Sequence, residues 1–399
     1  MSVSEQSKYL ISNYGPPPLE IVKGEGSYLW DSSGKKFLDF TSGIAVTNIG
    51  HSHQHWIDSV SKQAKQLVHC SNLYSIPQQI NLAKRLIAHI GPGKMLFCNS
   101  GAEANEALIK FARLTGNQVH GPKKHKLIVA ENAFHGRTMG ALSATSSSKY
   151  RNGFEPLLDG FSFAPLNDLA AFKSKIDEQT IGIMVESIQG EGGIQVASDT
   201  FLQGLQEICL EKNLLFMLDE VQAGIGRTGE FLGFQKSGVK PDAVAMAKGL
   251  GGGFPIGGIW LKEKWTEIFQ PGSHGTTFGG SPLACSAAHA VLDVIEKEDL
   301  IKKTQKHGEF LQSELENLKN KYPNLIKEVR GRGLMLALVM QNLPNDLITK
   351  LRQKGLLVVG AAGNAIRFLP PLTICNSELK EALEITKSSL KEFHNALQK

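Results

Sequence analysis

A lysine followed by a run of glycines is the first feature of this chain that could do chemistry. Lys248 follows the apolar segment AVAMA and precedes GLGGGFPIGG. An amine at the buried end of a strand has a lowered pKa and becomes a usable nucleophile. The glycines would let the backbone approach a bulky ligand closely. By itself the motif is weak evidence, because a glycine-rich segment after a lysine is more often only a loop.

Two carboxylates end an apolar run shortly before this lysine. The segment LLFML leads directly into Asp219 and Glu220. A buried carboxylate needs a partner, and for Asp219 two partners remain open. One is the ring nitrogen of pyridoxal phosphate, which an aspartate keeps protonated so that the ring becomes an electron sink. The other is an arginine such as Arg227 in a structural ion pair. The sequence indicates no specific role for Glu220.

Two further segments carry groups that suit a phosphorylated aromatic ligand. In CNSGAEANE, Ser100, Gly101 and Ala102 stand between a predicted strand and a predicted helix, where free N–H groups bind anions. An ordinary helix cap is the alternative. In ENAFHGRT, Phe134 could cover one face of a planar ring and Arg137 could bind a carboxylate through two hydrogen bonds.

Charged groups elsewhere allow a salt bridge across a cleft. Glu186 and Glu191 lie close together in ESIQGEGG, and Arg367 lies in NAIRFLPPLTI, far along the chain. An arginine and a glutamate facing one cleft could form a switchable ion pair, although spacing cannot establish one.

Three histidines, His51, His53 and His55, alternate in GHSHQHW and would share one face of a strand. A turn and helix start is favoured over a metal site, because Gly50 precedes them and a helical pattern follows. No metal is therefore expected.

The hydrophobic pattern of the sequence predicts the strands and helices that position these residues. Short apolar runs alternate with longer amphipathic stretches, which predicts βαβ units and a parallel sheet. In such sheets ligands bind outside the carboxyl ends of the strands. The runs whose far ends turn polar or glycine-rich would therefore face one cleft, and they are KMLFCNS, KLIVAENAFHG, IGIMVESIQGEGG, LLFMLDEVQ and PDAVAMAKGLGGG.

The length of 399 residues favours two domains. We predict a large domain over residues 53–290 and a small α+β domain over 291–399, which the N-terminal segment 1–52 joins. A long, charged, amphipathic helical stretch that ends before Pro323 is expected within residues 291–323, and a final helix from about Ser377.

Composition excludes several classes of protein. Hydrophobic content of 41% and charged content of 20% describe a globular chain, and a net charge of +5 without basic clusters does not favour nucleic acid binding. Five scattered cysteines without a C-x-x-C pair indicate reduced thiols. We expect no membrane segment and no signal peptide, and hence a cytoplasmic protein.

Several segments, in their order along the chain, resemble class III (subgroup II) aminotransferases of the fold type I pyridoxal-phosphate superfamily. They are CNSGAEANEALIK, FHGRT, LDEVQAGIGRTG, AMAKGLGGGFPIG, HGTTFGG and IRFLPPLTI. The resemblance covers nearly the whole chain, and FTSGIAV and NSGAEANEALIK are most similar to the N-acetylornithine aminotransferase group. It implies an α/β fold: a large domain with a mostly parallel seven-stranded sheet flanked by helices, and a smaller α+β domain.

The resemblance also implies roles for single residues. Lys248 would bind pyridoxal 5'-phosphate covalently and then move a proton between substrate and cofactor, while Asp219 would pair with the pyridine nitrogen. The other implied cofactor contacts are Ser100, Gly101, Ala102, Phe134, Gln222 and, from the neighbouring subunit of an obligatory homodimer, Thr277.

Substrate contacts follow from the same resemblance. Arg137 would bind the α-carboxylate of acetylornithine, and Arg367 that of glutamate or 2-oxoglutarate. Glu191 would neutralise Arg367 in one half-reaction and swing away in the other. Ile44 stands where ornithine aminotransferases typically carry Tyr, and an apolar residue there disfavours free ornithine.

The implied reaction moves the δ-amino group of N2-acetylornithine to 2-oxoglutarate through a ping-pong cycle in arginine biosynthesis. Succinylornithine, ornithine and 4-aminobutyrate remain open as donors. From other classes, a pyridine-nucleotide oxidoreductase that uses the glycine-rich loops and a non-catalytic relative are the alternatives. The sequence disfavours the oxidoreductase, because no helix-forming segment promptly follows GLGGGFPIGG. It disfavours the non-catalytic relative as well, because Lys248, Asp219, Arg137, Glu191 and Arg367 are all present.

Overall fold

A seven-stranded sheet forms the centre of the fold. In the computed structural model, which describes residues 8–121, 123–342 and 345–397, the strand order is β4-β12-β11-β10-β7-β5-β6. The strands are β4 (Gly93–Cys98), β5 (Lys126–Ala130), β6 (Phe161–Ala164), β7 (Thr180–Glu186), β10 (Leu215–Asp219), β11 (Ala243–Met246) and β12 (Gly257–Lys262).

The sheet is parallel except at one strand. Neighbours β11, β10, β7, β5 and β6 pair in parallel, whereas β12 pairs antiparallel with both β11 and β4. This confirms the predicted mostly parallel sheet and puts the carboxyl ends of six strands at one edge. The apolar run before Asp219 is β10, at the sheet centre, and every residue of this strand is buried, as expected for a strand covered on both faces.

Helices cover both faces of this sheet. Met217 of β10 lies in the apolar cluster that contains Leu108 and Phe111, whereas Leu218 lies in the cluster that contains Phe201 and Leu205. The α-helices are α1 (Gln54–Ala64), α2 (Pro77–Ile90), α3 (Gly101–Thr115), α4 (Met139–Ala144), α5 (Ser148–Arg151), α6 (Leu169–Ser174), α7 (Asp199–Lys212), α8 (Pro282–Lys297), α9 (Leu300–Lys321), α10 (Asn345–Gln353) and α11 (Asn376–Leu397).

Two four-stranded sheets and a hairpin complete the strands described. One sheet has the order β1-β2-β3-β15 and the other β13-β14-β17-β16, while β8 pairs with β9. Their bounds are β1 (Ile21–Glu25), β2 (Tyr28–Asp31), β3 (Lys36–Asp39), β8 (Ile188–Gln189), β9 (Gln195–Val196), β13 (Ile326–Arg332), β14 (Met335–Met340), β15 (Leu356–Leu357), β16 (Val359–Ala361) and β17 (Ala365–Phe368).

The predicted domain boundaries remain predictions. Strand β3 pairs in parallel with β15, so the N-terminal segment shares a sheet with the C-terminal third. Helix α8 runs across residue 290, where the large domain was expected to end.

The helical stretch expected over residues 291–323 ends before Pro323 as predicted, but it is divided between two helices. Helix α8 ends at Lys297, Asp299 has a left-handed φ of 50°, and α9 begins at Leu300. A left-handed residue breaks a right-handed helix, and amphipathic periodicity alone does not reveal such a break. The final helix begins at Asn376, one residue before the predicted start.

A left-handed turn follows β3. Four consecutive residues have positive φ values: Ser42 (45°), Gly43 (61°), Ile44 (66°) and Ala45 (59°). This conformation costs roughly 1–2 kcal/mol for each residue other than glycine. We call residues 42–45 the left-handed turn.

Within the described residues, no helix is both long and apolar enough to cross a bilayer.

Candidate active site

A cavity of about 240 Å³ opens at the carboxyl edge of the central sheet. It lies where the strand-end argument predicts a cleft. Eight of the predicted site residues line this cavity, together with five residues for which no role was predicted. The lining residues are Gly101, Ala102, Asn105, Phe134, His135, Gly136, Arg137, Glu186, Glu191, Asp219, Val221, Gln222 and Lys248.

Lys248 is positioned by the strand before it. Asp219 pairs in register with Ala245, three residues before Lys248, so the two side chains emerge from neighbouring strands as expected. Lys248 has a positive φ of 43°, a strained conformation that is characteristic of functional sites. Burial lowers the pKa of its amine, and the charge of Glu191 opposes this effect. Among the described residues none accepts a hydrogen bond from this amine, which therefore faces the cavity as a poised nucleophile.

The Asp219 carboxylate is held by two side chains. It accepts hydrogen bonds from His135 Nδ1 and from Asn105 Nδ2, both at 2.7 Å, and its other oxygen accepts one from the Val221 N–H at 2.9 Å. The alternative of an ion pair with Arg227 is wrong. The Arg227 guanidinium instead donates to the carbonyls of Leu334 and Pro370 and to Asn48 Oδ1.

The start of α3 provides an anion site beside the cavity. Ser100 caps the helix, and its hydroxyl accepts a hydrogen bond from Glu103 N–H at 3.1 Å. The N–H groups of Gly101 and Ala102 come before the first intrahelical bond and have no partner within the helix. A Cβ atom on Gly101 would lie 2.6 Å from Val221, so only glycine allows this close approach. The arrangement fits a phosphate group.

An aromatic pair borders the cavity at Phe134. The rings of Phe134 and Tyr150 meet edge to face with centroids 5.4 Å apart. The Arg137 guanidinium lies over Tyr150 at 4.3 Å. This stacking holds the arginine at the cavity wall, where it can bind a carboxylate.

Glu191 and Arg367 form the predicted ion pair. Arg367 Nη1 donates to Glu191 Oε1 at 2.6 Å and Nη2 to Oε2 at 3.2 Å. Arg367 also donates to Gln222 Oε1 at 3.3 Å and to the Gly360 carbonyl at 3.1 Å. The guanidinium is 1% exposed, and its partner Glu191 lines the cavity. The two residues come from distant parts of the chain, and only the tertiary fold brings them together.

Four predicted residues do not line this cavity. Ser100 is the N-cap residue of α3, directly before Gly101. Arg367 is bonded to Glu191, which lines the cavity. Ile44 is half-buried in an apolar cluster beside the cavity. Thr277 is exposed on the surface, so its expected cofactor contact belongs to the neighbouring subunit or to none. The roles of these four residues remain predictions.

Glu186 is the main ionisable residue that received no role from the sequence. Its side chain is 5% exposed, and burial together with the charge of Asp219 raises its pKa well above the ordinary value. Phe134 N–H donates to it at 3.3 Å. Its place at the carboxyl end of β7 was the available signal. His135 and Asn105 could have been found only from their spacing to Phe134 and Ser100.

Glu220 points away from the cavity. Its side chain is fully buried, and one oxygen accepts a hydrogen bond from the Gly233 N–H at 2.7 Å. Burial raises its pKa to about 7. Among the described residues no hydrogen bond of ordinary geometry reaches its other carboxylate oxygen, and the nearby Ser187 hydroxyl partly offsets the rise in its pKa.

The three alternating histidines take three different partners. His51 pairs with Asp39 at 2.8 Å, His53 with Glu298 at 3.5 Å and His55 with Asp293 at 2.8 Å. His53 lies at the start of α1, as the helix-start interpretation predicts. In the described ranges no three metal-ligating side chains converge.

The glycine-rich segment after Lys248 forms a short 3₁₀-helix, Lys248–Leu250, and a turn before β12. A dinucleotide-binding loop would open a long helix there. The segment therefore lacks the geometry that the oxidoreductase alternative requires.

Comparison with known proteins gives a family and several relatives. The model of the family described as aminotransferase class III matches residues 9–390. The acetylornithine aminotransferase of Caldanaerobacter subterraneus subsp. tengcongensis is 46% identical over 98% of this chain and 99% of the relative. That of Aquifex aeolicus is 47% identical over 96% of this chain and 100% of the relative.

Solved structures agree with this match. An ornithine aminotransferase from Toxoplasma gondii, described with partial occupancy of PLP at its active site, superposes with a TM-score of 0.95 at 32% identity, covering 99% of this chain and 95% of the other. An acetylornithine aminotransferase from Elizabethkingia anophelis gives 0.87 at 34% identity over 98% of each chain. With a cavity whose lysine, aspartate and helix start suit one phosphorylated ring, and a match over nearly its whole length, the chain belongs to the class III aminotransferases.

Proposed function

We propose that this protein transfers the δ-amino group of N2-acetylornithine to 2-oxoglutarate, giving N-acetylglutamate 5-semialdehyde and glutamate. Pyridoxal 5'-phosphate is its cofactor, and arginine biosynthesis is its context. The observation that carries the proposal is the ion pair of Glu191 and Arg367 beside the free amine of Lys248. Relatives named acetylornithine aminotransferase, similar over nearly the full chain, support it.

The residues of the cavity have separate tasks. The cofactor, when bound, supplies an electron sink that stabilises negative charge on the substrate carbon. Lys248 would hold it covalently until the substrate amine takes the place of the lysine, and the released lysine amine would then move a proton to and from that carbon. Asp219 stabilises the protonated ring nitrogen, and His135 and Asn105 fix the position of this carboxylate through their 2.7 Å hydrogen bonds. The start of α3 binds the phosphate.

Two arginines let one pocket accept two different amines. The side chain of Arg137 binds the α-carboxylate of the acylated donor, whose reacting amine lies at the far end of its chain. During that half-reaction Glu191 covers Arg367, so the apolar part of the donor does not face an unpaired cation. Glutamate and 2-oxoglutarate carry two carboxylates. Their α-carboxylate replaces Glu191 on Arg367 through the same bidentate geometry.

We also infer a homodimer with shared sites, in the cytoplasm. Large apolar side chains lie exposed on the described surface of the single chain, among them Leu73, Tyr74, Met139 and Phe278. Exposed apolar side chains in such numbers are typical of an interface. Thr277, next to Phe278, would reach the phosphate bound by the other subunit.

A test combines one substitution with a panel of donors. Lys248→Ala removes the amine, so turnover should disappear, together with the absorbance that depends on the covalent bond between this amine and the cofactor. Lys262→Ala, at the opposite end of neighbouring strand β12, is the matched control and should retain both. Wild-type turnover by Lys248→Ala would contradict the assignment.

The donor is decided by kcat/KM values of the wild-type enzyme with 2-oxoglutarate and each of acetylornithine, succinylornithine, ornithine and 4-aminobutyrate. Acetylornithine should give the highest value. A higher value for any other donor would replace the proposed substrate within the same family, because pockets separate such similar chains by only about 1–3 kcal/mol.

A further inference from the structure

The left-handed turn, residues 42–45, needs a specific cause. Three of its four residues, Ser42, Ile44 and Ala45, have a side chain and yet adopt positive φ values between 45° and 66°. Such conformations persist only where surrounding contacts hold them. The contacts that hold this turn therefore indicate which part of the molecule depends on its conformation.

Asp39 anchors the residues with which the turn begins. One oxygen of its carboxylate accepts hydrogen bonds from the Thr41 N–H (2.8 Å), the Thr41 hydroxyl (2.7 Å) and the Ser42 N–H (3.1 Å). The other oxygen is 2.8 Å from His51 Nε2. The Asp39 side chain is 1% exposed. Burial raises its pKa, but the bonds from His51 and Thr41 outweigh burial and lower it overall, so the carboxylate stays charged.

The turn is fastened to the strand that carries Arg367. The Ser42 hydroxyl donates to the Leu369 carbonyl at 2.7 Å, and the Leu369 N–H donates to the Phe40 carbonyl at 2.8 Å. Leu369 is two residues beyond Arg367, so these bonds fix the end of β17 immediately after the arginine. Ser42 is fully buried, which protects this connection from water.

The turn also packs against residues that are neighbours of Arg367 and Gln222 along the chain. Ile44 and Ala45 belong to an apolar cluster with Ala223 and Ala365. Ala223 follows Gln222, an acceptor for the Arg367 guanidinium. Ala365 precedes Arg367 by two positions, and side chains two apart on a strand lie on one face. The turn thus packs against neighbours of both Arg367 and its acceptor Gln222.

From these contacts we propose that Asp39 is a positioning residue for Arg367. Its carboxylate anchors the left-handed turn, and the turn fixes the strand and the apolar support that hold the guanidinium against Glu191 at the cavity wall. The inference rests on the proposed function in one respect, namely that Arg367 takes a carboxylate of glutamate or 2-oxoglutarate.

The test is Asp39→Asn in the cofactor-loaded enzyme. The amide keeps one oxygen for Thr41 and Ser42, but it is a neutral acceptor and offers His51 nitrogen in place of oxygen. We expect the KM for 2-oxoglutarate to rise about tenfold, as when one charge-assisted hydrogen bond is weakened. The kcat and the cofactor content should change less than about threefold. The Kd of the inert dicarboxylate glutarate, measured by calorimetry, should rise in parallel.

A second variant separates the turn from other effects of Asp39. Ala45→Gly in the Asp39→Asn background removes a side chain from a left-handed position, where glycine is unstrained, and should recover most of the glutarate affinity. The matched control is Asp31→Asn, because Asp31 also accepts from two N–H groups and one hydroxyl, but on an exposed turn after β2. It should leave KM and Kd unchanged.

The outcomes are separable. Wild-type KM and glutarate affinity in Asp39→Asn would overturn the proposal, and so would a loss confined to thermal stability. If that variant does not fold, Ser42→Ala, which removes only the bond to Leu369, should raise the glutarate Kd about threefold; an unchanged Kd would overturn the proposal. Absence of wild-type activity with acetylornithine would contradict the proposed substrate, while glutarate binding would still test the role of Asp39.

Discussion

Replacing Glu191 with glutamine tests the ion pair as the switch between two substrates. The Arg367 guanidinium donates two hydrogen bonds to Glu191, at 2.6 and 3.2 Å. Both must break before a substrate carboxylate can take their place. A glutamine offers one neutral oxygen, so it competes less well for the guanidinium. The bonds to Gln222 and to the Gly360 carbonyl remain and keep Arg367 in place.

The magnitude follows from the bonds that change. A hydrogen bond to a charged group contributes about 1.5–3 kcal/mol, and a neutral one about 0.5–1.5 kcal/mol. Weakening the competing pair by about 1.4 kcal/mol lowers the KM for 2-oxoglutarate roughly tenfold. The kcat/KM for acetylornithine should fall by a similar factor, because Arg367 then faces the donor without a charge partner.

Steady-state kinetics with each substrate varied in turn measures both effects. Glu328→Gln is the matched control, because Glu328 forms a 2.7 Å ion pair with Arg330 outside the cavity, and it should leave both constants unchanged. A Glu191→Gln enzyme that binds cofactor normally but has an unchanged or higher KM for 2-oxoglutarate would refute the reasoning.

Two further predictions concern the carboxylates at the end of β10. Asp219→Asn should lower kcat roughly 10- to 200-fold, the cost of one hydrogen bond to a charged group, with little change in KM; single-turnover rates measure this, and a wild-type rate would exclude the pyridinium role. Glu220→Gln should flatten the pH dependence of stability. Because burial raises the pKa of Glu220 from 4.5 to about 7, the folded state keeps a proton that the unfolded chain releases, so stability falls as pH rises from about 4.5 to about 7. The full loss, on the order of 3 kcal/mol, is present above about pH 7. Urea unfolding at pH 5 and pH 8 measures it, and an equal pH dependence in both proteins would contradict the assignment.

Much of the site was predictable because its residues lie at the ends of apolar strands. Lys248 and Asp219 follow buried runs, and the carboxyl ends of parallel strands meet at one edge, so local patterning was enough to bring them together. The helix start at Gly101 and the ring of Phe134 followed from the same rule. All four line the cavity.

Other features depend on contacts between distant segments, and no local pattern encodes them. Spacing allowed Asp219 to pair with Arg227, whereas packing gives it His135 and Asn105 and leaves Arg227 among backbone carbonyls. Similarly, amphipathic periodicity ran through Asp299, where the chain reverses its helical hand.

By itself the sequence determined the strand ends, the family and the side chains available for chemistry, because these depend on residue type and on neighbours along the chain. Only the tertiary structure determined which of these groups form ion pairs and hydrogen bonds with each other. Arg367 meets Glu191, and the turn held by Asp39 meets the strand of Arg367, across 176 and 327 positions of chain. Such contacts form because several buried segments pack at once, and each is set by the position of all the others.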